Sequence, residues 1–98
     1  MSALDYGLKS SVIQEIILLA EKYGVEKLVL FGSRARGDYL RASDIDLAVY
    51  GGDIKRFAID AEENARTLLR FDIIDMSLKL SPAFRAEIER GIVLYAKI

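Results

Sequence analysis

The chain has 98 residues, 52% of them hydrophobic and 30% charged, a composition typical of one folded globular domain and unlike that of a disordered segment. Its 14 basic and 15 acidic residues give a net charge of −1, which disfavours generic binding to nucleic acids. Cysteine and histidine are both absent, so disulfides, thiol catalysis and histidine ligands are excluded, and carboxylates, hydroxyls and cations must carry any chemistry.

The first half of the chain reads as one helix followed by two strands. Apolar residues recur at helical spacing over residues 8–23, and Gly24 is placed to end this helix. The segment KLVLF, Lys27–Phe31, is short and apolar and runs into a Gly-Ser turn, which indicates a buried strand. Residues 44–50 alternate carboxylates with apolar side chains and are predicted to form the next strand.

The second half predicts two helices and one further strand. A helix is expected from an N-cap at Asp53 to near Arg70, with Leu68 and Leu69 on its buried stripe. Residues 71–76 have strand character, and Ser81-Pro82 starts a helix that runs to about residue 90 and is capped by Gly91. The apolar tail 92–95 either forms a short strand or packs on the core, because periodicity does not separate these two.

This order of elements predicts an α/β (α+β) domain in which a small mixed sheet packs against helices. The strand order does not follow from the sequence. We expect residues 1–98 to form one domain. Since the N-terminus resembles no signal peptide and no apolar run is long enough to cross a bilayer, a cytoplasmic location without membrane attachment is expected.

A pair of carboxylates on the second strand is the first candidate for chemistry. Successive strand side chains point to opposite faces, so Asp44 and Asp46 are expected to share one face while Ile45 and Leu47 enter the core. Adjacent carboxylates repel unless a cation joins them, and Mg²⁺ takes one or two carboxylates together with substrate phosphates. A plain solvated strand face would show the same two residues, so the pair gains meaning only from its surroundings.

The turn after the first strand predicts a phosphate cradle. Gly32 allows the backbone to approach a phosphate closely, and Ser33 can cap a short helix while its hydroxyl faces the anion. Arg34 and Arg36 lie close enough in sequence to neutralise phosphate charge, although the sequence does not decide which of them points inward. Ser43 is either a further nucleotide ligand or a residue that only shapes the loop.

A third carboxylate would allow a site with two metal ions to hold both the leaving group and the attacking hydroxyl. Asp72 is the candidate, because it would stand in mid-strand among apolar neighbours, where an unpartnered charge is costly. Asp72 is also the best available base for an acceptor hydroxyl. Asp75, nearer the strand end, is interpreted as a strand-end or cap residue.

The turn Gly32-Ser33, followed after ten residues by Asp44 and Asp46, resembles the signature of the DNA polymerase β-like nucleotidyltransferase superfamily. With GSRARG, SDIDL, a later hydrophobic-Asp-hydrophobic strand and the ending RGIVLY, nearly the whole chain is similar to the minimal nucleotidyltransferases, the MNT family. The resemblance implies the polymerase β-like fold. It also implies that Asp44, Asp46 and Asp72 bind two Mg²⁺ ions and that the Gly-Ser turn holds the phosphates of the nucleotide.

The same resemblance implies a reaction and a partner. It points to transfer of AMP from ATP to a HEPN-domain toxin, with this chain as the antitoxin of a two-component toxin–antitoxin system. One alternative is a binding module that neutralises its partner by contact alone. Another is nucleotidyl transfer to a small-molecule alcohol, which the short chain disfavours. The preferred nucleotide, the acceptor group and the oligomeric state stay open.

Overall fold

The computed structural model describes residues 4–97 of the chain. Six strands and four helices lie within this range. In chain order they are β1 (Leu4–Asp5), β2 (Leu8–Lys9), α1 (Ser10–Lys22), β3 (Lys27–Phe31), α2 (Ser33–Arg36), β4 (Ile45–Tyr50), α3 (Ile54–Asn64), β5 (Phe71–Asp75), α4 (Pro82–Glu89) and β6 (Ile92–Ala96).

Four of the strands form one mixed sheet in the order β5-β4-β3-β6. Strand β3 is antiparallel to both β4 and β6, whereas β4 and β5 run parallel. The parallel pair places the starts of β4 and β5 at the same edge of the sheet, beside the end of β3. Side chains that begin or end these three strands are therefore neighbours. The predicted mixed sheet packed against helices is confirmed.

Helices cover both faces of this sheet. Alternate residues of β3 and β4 face α1 and α3, where they form the larger core cluster with fully buried Ile16 and Phe57. The other residues of these strands face α4, and this smaller cluster consists of Val29, Phe31, Ala48, Met76 and Ile88. The larger cluster buries more apolar side chains, so it supplies more of the hydrophobic stabilisation.

The first helix begins two residues later than predicted, at Ser10. Residues Leu8–Lys9 instead pair with Leu4–Asp5 as a two-stranded antiparallel hairpin that the sequence analysis missed. Two residues per strand are too few to show a period in the sequence, which explains the omission.

The second long helix, α3, ends at Asn64 and not near Arg70, so that prediction was wrong. Ala65 has extended backbone geometry, and Leu68, expected in the core, is fully exposed. The chain must leave the helix here to reach β5, whose parallel pairing requires a return to the start of β4. The side chain of Glu62 accepts a hydrogen bond from the amide of Phe71 at 3.0 Å, which helps to hold this return segment.

The last helix and the tail agree with the sequence. Ser81 caps α4 by accepting a hydrogen bond from the amide of Phe84 at 3.2 Å, and Pro82 is the first helical residue. The C-cap is Arg90, one residue before the predicted Gly91. Of the two alternatives for the tail, the strand is observed as β6. Within residues 4–97, no helix is long and apolar enough to cross a membrane.

Candidate functional site

The candidate site lies where β3 ends and β4 and β5 begin. Gly32 follows β3 with a φ of 77°, a backbone conformation that residues other than glycine rarely adopt. A Cβ atom built on Gly32 would collide with the Asp46 carboxylate oxygen Oδ2. The glycine is therefore required twice, once for the backbone turn and once for the space that the Asp46 carboxylate occupies.

The short helix α2 starts at Ser33, but Ser33 does not cap it as predicted. Gly32 occupies the cap position, and no side chain makes a cap hydrogen bond there. The Ser33 side chain is thus not committed to a helix cap. Its backbone carbonyl accepts hydrogen bonds from the amides of Gly37 and Asp38, which closes the short helix.

Asp46 and Asp72 are direct neighbours across the parallel strands β4 and β5. Paired residues on adjacent strands project to the same side of a sheet, and here that side is the α4 face, because Ile45 and Leu47 are buried on the other. Phe31 lies opposite Asp46 on β3 and completes this row. The structure therefore brings two of the three predicted carboxylates together, on one face and in one register.

Asp44 lies one residue before β4 and not inside it. The strand predicted to begin at Asp44 begins one residue later, at Ile45. Its position two residues before Asp46 keeps it at the same edge of the sheet, and its side chain is exposed. Loop residues before the strand, not the strand ladder, therefore set the position of the Asp44 carboxylate.

The electrostatics of Asp46 distinguish it from its neighbours. Burial, followed by the negative charges of Asp72 and Asp44, raises the pKa of the Asp46 carboxyl above its ordinary value, while Arg36 and Arg34 oppose this rise. Three acidic side chains therefore interact at one edge of the sheet. A divalent cation would offset their repulsion, and carboxylate oxygens are the hard ligands that Mg²⁺ prefers.

The donor set fits magnesium in chemistry, but it is not assembled into a closed metal cage. Among residues 4–97, no three histidine, cysteine, aspartate or glutamate side chains are gathered so that they could hold a metal ion. Asp46 and Asp72 are adjacent on rigid strands, whereas Asp44 is held by a loop. A metal ion shared by all three would require side-chain movement.

Asp72 does not lie among apolar neighbours as expected from the sequence, because its side chain is exposed on the edge strand β5. Its pairing with Asp46 is the better reason to include it. Asp75 has the expected strand-end role, because its Oδ1 accepts hydrogen bonds from the amide and hydroxyl of Ser77 at 2.8 and 2.6 Å.

Arg34 is the one charged residue in the buried core of the described chain, and it is 1% exposed. Its Nη1 donates to the carbonyl of Tyr6 at 3.0 Å, and its Nη2 donates to the carbonyls of Arg41 and Ser43 at 3.2 and 2.9 Å. Its guanidinium carbon lies 5.0 Å from the centre of the Tyr39 ring. Arg34 thereby ties the β1–β2 turn and the loop before Asp44 to helix α2.

Arg36 lies on the opposite side of α2 and is exposed. Its Nη1 contacts Glu87 Oε1 of α4 at 2.8 Å, and its Nε lies 3.4 Å from Asp38 Oδ2. Exposed ion pairs of this kind are weak and are exchanged readily for other anions. Of the two arginines whose orientation the sequence left open, Arg36 is the one with a side chain accessible to a ligand.

A cavity of about 360 Å³ opens between α2 and the end of α4. We call it the phosphate-side cavity; its lining residues are Gly32, Ala35, Arg36, Glu87, Arg90 and Gly91. Sequence reasoning assigned no role to Glu87 or Arg90. Arg90 and Gly91 begin the segment RGIVLY that carried part of the family resemblance, and this segment was the available signal.

Ser43 shapes the loop in this structure. Its hydroxyl oxygen accepts a hydrogen bond from the amide of Leu40 at 2.8 Å, and its carbonyl accepts from Arg34. These contacts match the loop-shaping alternative for Ser43, and a role as a nucleotide ligand stays a prediction.

Comparisons with known proteins identify the family of this chain. The family model described as "Polymerase beta, Nucleotidyltransferase" matches residues 14–97. A "Putative protein adenylyltransferase" of Methanocaldococcus jannaschii is 32% identical over 100 residues, covering 89% of this chain and 98% of that protein.

Solved structures share the fold. One described as "Structure of putative minimal nucleotidyltransferase" superposes with a TM-score of 0.69 at 24% identity, covering 94% of this chain and 97% of that chain. A toxin-antitoxin crystal structure with AMP-PNP gives a TM-score of 0.68 at 23% identity, covering 87% of this chain and 73% of that chain. The polymerase β-like fold expected from the sequence is confirmed.

Proposed function

Because the chain belongs to the polymerase beta nucleotidyltransferase family, we propose that this nucleotidyltransferase moves AMP from ATP to a hydroxyl group of a partner protein. The observation that carries the proposal is the direct pairing of Asp46 with Asp72 beside the Gly32 turn. The relative from Methanocaldococcus is named as a protein adenylyltransferase, which supports AMP as the transferred group and a protein as the acceptor.

The proposed partner is a HEPN-domain toxin, and this chain is its antitoxin. A structure with the same fold is described as a toxin-antitoxin with AMP-PNP, an analogue of ATP, and that description motivates a toxin as the partner and ATP as the nucleotide. The HEPN domain of the partner rests on the family resemblance of the sequence alone. In this proposal the modified toxin loses its activity because a bulky, charged nucleotide is attached to it.

In the proposed reaction, the acceptor oxygen forms a bond to the α-phosphorus of ATP. The bond from this phosphorus to the oxygen that bridges to the β-phosphate breaks, and pyrophosphate leaves. Asp72, the exposed carboxylate of the pair, receives the proton of the acceptor hydroxyl. Asp44, Asp46 and Asp72 would hold two Mg²⁺ ions, which, when bound, neutralise the charge that develops on the phosphates.

The arginines of the motif have different roles in this proposal. Arg36 exchanges its surface contacts with Glu87 and Asp38 for the phosphates, which lie in the phosphate-side cavity near Gly32 and Ser33. Arg34 already uses its donors on three backbone carbonyls, so it positions the loop that carries Asp44.

The test is an incubation of the protein with Mg²⁺, a HEPN-domain protein encoded beside it, and ATP labelled at the α-phosphate. Label should move to the HEPN protein, and ATP labelled at the γ-phosphate should leave it unlabelled, because pyrophosphate departs. The Asp44→Asn/Asp46→Asn double variant should transfer no label. Asp75→Asn, a change of the same kind on the same sheet, should retain transfer. Absence of α-label transfer by folded protein under every metal condition would falsify the proposal.

An antitoxin that acts by contact alone is the second candidate. It is favoured by the observation that, among residues 4–97, no three acidic side chains are gathered into a metal site. The same double variant separates the two functions. If it neutralises the toxin fully, contact alone is sufficient. If it still forms the complex but no longer neutralises the toxin, transfer is the function.

A further inference from the structure

We infer that a second cavity, on the opposite face of the sheet from the phosphate-side cavity, receives an acidic and apolar segment of the acceptor protein. We call it the acceptor-side cavity, and the inference rests on the proposed function. It has a volume of about 600 Å³ and lies between the β1–β2 hairpin, α1, the loop before Asp44 and the return segment after α3.

The charges that line this cavity have one sign. Lys9, Arg41 and Arg66 contribute three cationic side chains, all exposed, and none of the lining residues is acidic. Glu15 of α1 accepts a hydrogen bond from the amide of Arg66 at 3.3 Å and offsets part of this positive charge, but the three cations outnumber it. A cavity with an excess of cationic side chains attracts an anionic ligand.

The floor of the cavity is apolar. Leu8 and Val12 are buried there, and Leu69 is partly buried against the larger core cluster. Leu68, which also lines the cavity, is fully exposed. A peptide segment with both apolar and acidic side chains would match this lining. Its apolar side chains would pack on Leu68 and the floor, and its acidic side chains would face the cations.

Two segments that line the cavity continue directly into the strands that hold the site carboxylates. Arg41 and Leu69 each lie three residues before a site carboxylate, Asp44 and Asp72 respectively. The amide of Ile45 donates to the carbonyl of Arg70 at 2.8 Å, so these two approaches are bonded to each other. A segment seated in the cavity therefore lies next to the strand starts that hold the carboxylates.

The test measures binding of a fluorescein-labelled random copolymer of glutamate and tyrosine, with a copolymer of lysine and tyrosine as the reverse-charge probe. Lys9→Glu/Arg66→Glu reverses two cations of the cavity. Lys55→Glu/Lys79→Glu, at exposed positions that line neither cavity, changes the net charge equally and serves as the control. Calorimetric titration with AMP-PNP and Mg²⁺ measures nucleotide affinity for each variant.

We expect wild-type protein to bind the acidic copolymer and not the basic one. The cavity variant should bind the acidic copolymer at least about tenfold more weakly, and the control variant should stay within about twofold of wild type. AMP-PNP affinity should be the same in all three proteins. Failure of the wild type to prefer the acidic copolymer, or an equal loss in the control, would overturn the inference.

A loss of AMP-PNP affinity in the cavity variant would also overturn it, because the cavity would then receive the nucleotide. Transfer of α-label from ATP to the HEPN protein is measured in parallel with the wild-type protein. Charge-specific binding of the acidic copolymer without transfer of label to the HEPN protein contradicts the proposed function and leaves the docking inference standing, so the two failures are distinguishable.

Discussion

Asp46 at the site and Asp60 between α1 and α3 have pKa values shifted in opposite directions. At the site, Asp46 faces Asp72 and Asp44, and burial and these charges raise its pKa. Between the helices, Asp60 accepts a hydrogen bond from the Tyr23 hydroxyl at 2.5 Å and another from the Asn64 amide at 2.7 Å. These bonds, the one from Tyr23 first, lower the pKa of Asp60 below its ordinary value.

The opposite pKa shifts of Asp46 and Asp60 separate two roles of an aspartate, one at a ligand site and one in folding. Asp60 has protein partners that favour its charged form, so it contributes to folding. Asp46 has mainly like charges and partial burial, an arrangement that does not favour folding and that a cation would relieve. The sign of the shift, more than the presence of an acidic residue, indicates where a ligand is expected.

The largest effect should come from Asp46→Asn. We expect transfer of α-label to fall by about a thousandfold, because one of the proposed magnesium ligands is lost. The free energy of unfolding in the absence of metal should not decrease, since the substitution removes like-charge repulsion. Denaturant titration and label transfer check both parts. A marked loss of stability would show that Asp46 is a structural residue like Asp60.

Arg34→Met should cause the next largest effect, this time on folding. The carbonyls of Tyr6, Arg41 and Ser43 would lose their donor within a buried region, so the free energy of unfolding should fall by about 2–4 kcal/mol. Urea denaturation measures it. Arg36→Met is the control and should cost less than about 1 kcal/mol, because its ion pairs are exposed. Equal costs would contradict the division of roles between the two arginines.

Arg36→Ala should have a smaller effect, on the nucleotide alone. The Kd for AMP-PNP with Mg²⁺ should rise about tenfold, as expected for the loss of one charge-assisted contact to phosphate. Arg56→Ala, which removes another exposed arginine with an acidic neighbour, should leave the Kd unchanged. Calorimetry measures both. An unchanged Kd in Arg36→Ala would remove this residue from the nucleotide site.

The smallest effect concerns pH. The pKa of Asp60 is lower in the folded protein than in the unfolded chain, so its stabilisation is present above the unfolded pKa of about 4 and is lost as pH falls through the folded value. The Tyr23 hydroxyl donates a hydrogen bond to Asp60, and this bond is the main cause of the raised pKa of Tyr23. The contribution of Tyr23 to the stability of the fold is therefore lost only at strongly alkaline pH.

Tyr23→Phe removes this hydrogen bond from both residues. The melting temperature of the variant should depend less on pH below about pH 4 than that of the wild type. Thermal unfolding between acidic and neutral pH measures the difference. Parallel melting curves for the two proteins at all pH values would show that the Tyr23–Asp60 contact contributes nothing.

The sequence predicted the parts of the molecule whose information is local. Strand β3 was predicted with its observed bounds, and α4 could be read from Ser81 and Pro82, because caps and short apolar runs depend on adjacent residues. The pairing of Asp46 with Asp72 also required a strand order that no local pattern contains. The local pattern and the family resemblance both pointed to these two residues, but neither contained their register.

Burial of Arg34 was beyond a local reading for the same reason. Its hydrogen-bond acceptors come from Tyr6, 28 residues away, and from a loop that follows α2. The end of α3 was missed because helical periodicity continued through Leu68 and Leu69, while the parallel pairing of β5 forces the chain to turn after Asn64. In both cases tertiary contacts outweighed the local pattern.

The central claim is tested most directly by a crystal of the protein grown with AMP-PNP and Mn²⁺, a scattering substitute for Mg²⁺. Anomalous difference maps locate the metal ions. The account predicts peaks bounded by carboxylate oxygens of Asp44, Asp46 and Asp72, with the phosphates of the analogue beside Gly32 and Arg36. Metal and nucleotide bound elsewhere, with these three side chains free of both, would contradict it.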